Sequence, residues 1–105
     1  MSGKILMVDD VATNRIVMKV KLSAARYDVM LASTGEEALE IARSGGIDVI
    51  IMDMLMPGAS GADVCRMLRA ERATAGIPII LITAVDDAES RLEGLEAGAD
   101  DFLTR

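Results

Sequence analysis

The sequence predicts an α/β domain built on a doubly wound, five-stranded parallel sheet. Short apolar runs alternate with segments of helical periodicity along the whole chain. The runs are apolar at consecutive positions, as strands covered on both faces must be, and each is reached through a helix, which gives parallel order with right-handed crossovers. A length of 105 residues, with 51% hydrophobic and 27% charged, suits one domain spanning 1–105 with a single core.

The first strand is expected at Ile5–Val8. The helix after it carries Ile16, Val17 and Val20 on one face, with Arg15, Lys19 and Lys21 elsewhere. Tyr27–Ala32 reads as the second strand. Thr34 stands three residues before Glu37, the spacing of a capping box, and opens a helix with Ala38, Ile41 and Ala42 inward, which Gly45 and Gly46 end. Val49–Met52 is a fully apolar third strand. The turn-rich Met56-Pro57-Gly58-Ala59-Ser60-Gly61 follows, then a helix capped by Ser60 with Val64, Met67 and Leu68 inward. The fourth strand is Pro78–Ile82, with proline first, where a missing donor is tolerated. Asp86 and Glu89 make another capping box, for a helix with Leu92 and Leu95 on one side that stops at Gly98; Phe102 and Leu103 begin the fifth strand.

Composition excludes several chemistries. There is no histidine, which removes imidazole zinc sites, serine or cysteine triads and an imidazole base. The single cysteine, Cys65, has no partner for an internal disulfide, so the cytoplasm is the default compartment. A formal charge of −6 without a basic patch argues against direct nucleic-acid binding. The longest apolar stretches, Val49–Met52 and Ile77–Ile82, are too short to cross a membrane. With Tyr27 and Phe102 as the aromatic residues and eight methionines, a ligand site built on ring stacking is disfavoured.

The acids carry the functional information. Asp9 and Asp10 follow the first strand and Asp53 follows the third, so a parallel sheet brings all three to its carboxyl edge, with Thr83 after the fourth strand beside them. Open α/β sheets bind ligands at that edge. Three carboxylates so close repel one another and call for a cation, and hard oxygen donors without histidine or cysteine favour magnesium. Taken singly, each aspartate could simply cap a helix or end a strand. The coincidence of all of them at one edge is what points to a site.

With these residues in place, the chain resembles the receiver domain of two-component response regulators. The likeness runs from Ile5-Leu6-Met7-Val8-Asp9-Asp10 through Asp53-Met54-Leu55-Met56-Pro57-Gly58 and Leu81-Ile82-Thr83-Ala84 to Gly98-Ala99-Asp100-Asp101-Phe102-Leu103-Thr104. Gly94-Leu95-Glu96-Ala97-Gly98 and Asp101-Phe102-Leu103-Thr104 are most similar to the first receiver of PleD-type diguanylate cyclases. The resemblance implies a flavodoxin-like sheet in the order 2-1-3-4-5. It also implies that Asp53 takes a phosphoryl group from the phosphohistidine of a sensor histidine kinase or histidine phosphotransfer protein. Asp10 and Asp53 would hold Mg2+ directly, Asp9 would act through water, and the backbone carbonyl of Leu55 would be a further ligand. Thr83 would donate to a phosphoryl oxygen, Ala84 would leave room for it, and Phe102 would move inward as Thr83 is drawn towards the phosphoryl group. Such a domain catalyses at most its own phosphorylation and dephosphorylation.

Two departures from the family pattern stand out. Ser60 replaces an acidic residue before Gly61, and serine caps a helix equally well. Arg105 occupies the lysine position, and its bulk and preference for bidentate pairing make it a different group near a phosphoryl oxygen. Arg105 is also the main support for the alternative, a pseudo-receiver that binds partners without being phosphorylated. A flavodoxin-like nucleotide module would need backbone donors and hydroxyls in its first loop, where Asp9-Asp10 present negative charge. A receiver continues past this point into a fifth helix. Without it, the apolar face of strands three to five is expected to be bare and to drive association into dimers or aggregates. Leu55 and Val85, flanking the acyl phosphate, are expected to exclude water and prolong its life.

Overall fold

The computed structural model describes residues 3–83 and 88–104. Five parallel strands, β1 (Lys4–Val8), β2 (Asp28–Ala32), β3 (Val49–Asp53), β4 (Ile79–Thr83) and β5 (Asp101–Thr104), form one sheet in the order β2-β1-β3-β4-β5. They alternate with helices α1 (Ala12–Ala24), α2 (Gly35–Arg43), α3 (Gly61–Ala70) and α4 (Ala88–Ala97). The expected architecture and strand order are those observed, with element ends shifted by a residue or so.

Side-chain alternation along each strand divides the core in two. Leu6, Val8, Ile50, Met52, Ile79 and Leu81 face α2, α3 and α4, where Ala38, Val64 and Leu68 meet them in the larger cluster. Ile5, Met7, Ile51 and Ile82 face the other way, packed by Met18 and Leu22 of α1. Burial on both faces is why β1 and β3 read as unbroken apolar runs.

Helix ends follow their capping residues. Thr34 Oγ1 accepts from the Glu37 amide (3.1 Å), while the Glu37 carboxylate reaches one residue further than a capping box requires, to the Ser33 amide (2.6 Å). Ser60 forms a complete reciprocal box with Asp63 at the start of α3. The box expected at Asp86 and Glu89 falls partly outside the described residues.

Two helices sit differently from their apolar pattern. In α1 the expected face is turned to solvent, with Ile16 and Val20 at 60% and 64% exposure, and the helix meets the sheet through Met18 and Leu22. The helix carries two apolar stripes with i,i+4 spacing, and sequence could not tell which one the sheet would take. A groove of about 340 Å³ runs beside it, lined by Met7, Val17, Met18, Ile82 and Leu103 among others. In α4, Leu92 and Leu95 are exposed and the buried residues are Gly94 and Ala97. Small side chains on the inner face let this helix lie close to β4 and β5. In α3, Val64 and Leu68 are buried as expected, and Met67 is exposed.

Candidate functional site

Asp9 follows the last residue of β1, and Asp53 is the last residue of β3. Because these strands are parallel neighbours, with Val8 paired to Met52, their acids emerge at the same edge. One carboxylate oxygen each from Asp9, Asp10 and Asp53 lies within 4.8 Å of the others. Asp9 and Asp53 are buried and Asp10 is exposed.

Both buried acids are oriented in the same way. The Asp9 carboxylate accepts from the Val11 amide (2.9 Å), and the Asp53 carboxylate accepts from the Leu55 amide (3.2 Å). An acid that bonds the amide two residues on turns the chain sharply as it leaves the strand. Pairwise repulsion at such separations is roughly 3 kcal/mol at an effective dielectric constant of about 20, so the fold holds the cluster against its own charge. Arg15 in α1 supplies a nearby cation, donating through Nη1 to the backbone carbonyl of Asp9 (2.8 Å).

Thr83 closes the site from β4. Asp53 pairs with Ile82, which sets Thr83 one residue beyond it on the adjacent strand, and Thr83 in turn pairs with Thr104 of β5. Its hydroxyl is buried and has no hydrogen-bond partner among the described residues. A buried hydroxyl in that condition is costly unless a ligand satisfies it. The donor set of three carboxylates and a hydroxyl, without nitrogen or sulfur ligands, fits a hard cation and an anion held by it.

Phe102 is half-buried against the larger core cluster and pairs with Leu81. The Leu55 side chain is 68% exposed, while its backbone amide holds Asp53. Ala84, Val85 and Arg105 lie outside the described residues. Two supports of the site were not read from sequence. The sequence pattern sets Arg15 off the apolar face of α1 and gives it no role; its place six residues after Asp9, in the first turns of the helix, is the available signal. Gly61, taken as part of a turn, donates its amide to the Met54 carbonyl (2.9 Å) and folds the β3–α3 loop back on the strand end.

Comparison with known proteins agrees with this geometry. The family described as "Response regulator receiver domain" matches residues 5–105. Response regulator PleD of Caulobacter vibrioides is 45% identical over 105 residues, all of this chain and 23% of PleD, so the chain spans less than a quarter of that relative. The receiver domain of the sensor histidine kinase PA1611 from Pseudomonas aeruginosa, solved with a magnesium ion coordinated in the active site cleft, superposes with a TM-score of 0.91 at 31% identity, covering all of this chain and 86% of that one. The receiver domain of Saccharomyces cerevisiae Ssk1, in co-crystals with the histidine phosphotransfer signaling protein Ypd1, gives a TM-score of 0.89 at 25% identity, covering 99% of this chain and 79% of that one. No described helix is long and apolar enough to cross a membrane. Sheet order, acids gathered at one sheet edge and matches along the whole length point the same way: the chain belongs to the response regulator receiver domain family.

Proposed function

We propose that Asp53 accepts a phosphoryl group from the phosphohistidine of a sensor histidine kinase or a histidine phosphotransfer protein, and that this switches an output surface. The observation that carries the reading is the acidic trio within 4.8 Å beside the buried Thr83 hydroxyl, which has no hydrogen-bond partner among the described residues. An oxygen of the Asp53 carboxylate forms the new bond to phosphorus as the bond to the histidine nitrogen breaks, and the imidazole leaves with the electron pair. The Leu55 amide holds that carboxylate in place. Thr83 donates to a phosphoryl oxygen, which satisfies its hydroxyl. Phe102 follows Thr83 and carries the change to α4 and β5.

Asp10 and Asp53 would hold Mg2+ directly, Asp9 through water, and the Leu55 carbonyl would complete the protein ligands. When bound, the ion neutralises carboxylate and phosphoryl charge so that the two can approach. Arg105, at the lysine position, keeps the positive charge, but its bulk and planar fork bear on sensing of the phosphoryl oxygen more than on the transfer to Asp53. The reading places the chain in the cytoplasm as a single receiver unit, with a kinase or phosphotransfer partner. A second copy of the chain is the candidate for self-association through its exposed apolar surface.

Intact mass after incubation with acetyl phosphate and magnesium tests the reading. The wild type gains one phosphoryl group and Asp53→Asn gains none. A normal gain in the variant refutes the assignment to Asp53, and no gain in the wild type favours a receiver that only binds partners.

A further inference from the structure

We propose that Gly94 is the seat of the Phe102 ring, and that its missing side chain sets how readily the domain enters its phosphorylated conformation. The inference rests on the phosphoacceptor reading above and adds a residue remote from the acids. Gly94 is one of the two buried positions of α4, and it faces side chains of Leu81 on β4 and Phe102 on β5. A Cβ there would stand 2.7 Å from Cζ and 2.8 Å from Cε1 of Phe102, and 2.9 Å from Cδ1 of Leu81. Real Cβ atoms do not approach that closely, so the ring fills the space that a side chain at position 94 would take.

All three atoms are the far ends of side chains. A methyl group at 94 therefore displaces the ring while the backbone of α4 and β5 holds, since the Phe102–Leu81 register is fixed by strand pairing. Alanine is also the better helix former, so propensity alone favours the substitution and cannot account for a loss. The seat is the buried end of the ring's range. Binding of a phosphoryl group draws Thr83 towards the acids and favours the ring inside, so blocking the seat must weaken the affinity for a phosphoryl group by linkage.

Phe102 is the single phenylalanine, so ring-13C phenylalanine gives the signals of this residue alone. The wild type should show nuclear Overhauser contacts from the ring to the Leu81 methyl and the Gly94 α-protons. In Gly94→Ala the Leu81 contact should be lost, and the affinity for beryllofluoride with magnesium, a phosphoryl mimic, should fall by about fivefold or more. In a Phe102→Ala background the same change should alter that affinity by less than about twofold, because the ring it strikes is gone. A ring that stays on Leu81 in Gly94→Ala overturns the proposal, as does an unchanged or tighter affinity or a loss that persists without the ring. If Gly94→Ala fails to fold, folding of the double variant supports the proposal and its failure overturns it. A wild type that does not bind beryllofluoride defeats the phosphoacceptor reading, and the switch role of Gly94 falls with it. In that case the Leu81 contact still reports whether Gly94 seats the ring.

Discussion

A Cβ on Gly61 would lie 2.5 Å from the backbone carbonyl oxygen of Asp53. The first residue of α3 thus rests directly on the strand end that carries the central acid. Backbone cannot yield as a side-chain tip can, so Gly61→Ala must push the β3–α3 loop away. Urea unfolding should show a loss of about 1–3 kcal/mol. Phosphorylation by acetyl phosphate should slow as well, because the Leu55 amide that orients Asp53 lies in the displaced loop.

Removing one acid should separate two effects. Without metal, Asp10→Asn relieves repulsion in the trio, and its melting temperature should equal or exceed that of the wild type. With magnesium at about a hundred times its Kd, the wild type should gain roughly 2.7 kcal/mol, and Asp10→Asn should gain almost nothing. Asp9→Asn, which on the proposed reading acts through water, should retain part of the gain. Equal losses in the two variants would contradict the assigned ligand order, and thermal scans in EDTA and in magnesium decide it.

Arg69 ties two segments, the one before β4 and the one between α4 and β5, to α3. Its guanidinium donates to the carbonyls of Ala75 (2.9 Å), Ile77 (2.6 Å) and Gly98 (3.0 Å) and to the Asp100 carboxylate (2.8 Å), which also accepts from the Ile79 amide (2.8 Å). Arg69→Ala should cost about 3 kcal/mol in urea unfolding, since charged hydrogen bonds contribute more than neutral ones and the carbonyls lose their donor. Arg69→Lys should recover less than half, because one ammonium cannot reproduce the planar fork.

Cys65 lies fully inside, and burial pushes its thiol pKa up, with lesser effects from Arg69, Asp100 and Arg66. The folded pKa is raised, so the associated stability is present below the unfolded value of about 8.5 and is lost as pH rises through the folded value. Iodoacetamide at pH 8 should label the native protein slowly and the urea-unfolded protein at once. Equilibrium unfolding from pH 8 to 10 should show an alkaline decline that Cys65→Ala reduces.

Val20 of α1 is 64% exposed despite its apolar stripe. Val20→Lys should change stability by less than about 0.5 kcal/mol, whereas Leu22→Ala, which packs on the sheet, should cost more. A large loss at Val20 would show that this face is covered in solution.

The sequence by itself determined the order of elements, the five parallel strands and the edge at which Asp9, Asp10, Asp53 and Thr83 gather. Each of these follows from local pattern together with one topological rule. An apolar run bounded by turn residues identifies a strand without knowledge of its neighbours, and a parallel sheet sends every strand end to the same side. The inward faces of α2 and α3 were legible too, at Ala38 and Ala42 and at Val64 and Leu68, whereas only the tertiary structure decided which side of α1 and of α4 meets the sheet. In α1, Met18 and Leu22 pack inward rather than Ile16, Val17 and Val20, and in α4, Gly94 and Ala97 do so rather than Leu92 and Leu95. It also decided the close approaches of Gly61 to Asp53 and of Gly94 to Phe102. Hydrophobic pattern reports how much apolar surface a helix has to bury. In α4 the buried side is the one whose small residues let two backbones come close, and in α1 two apolar stripes compete and packing of Met18 and Leu22 on the sheet selects between them.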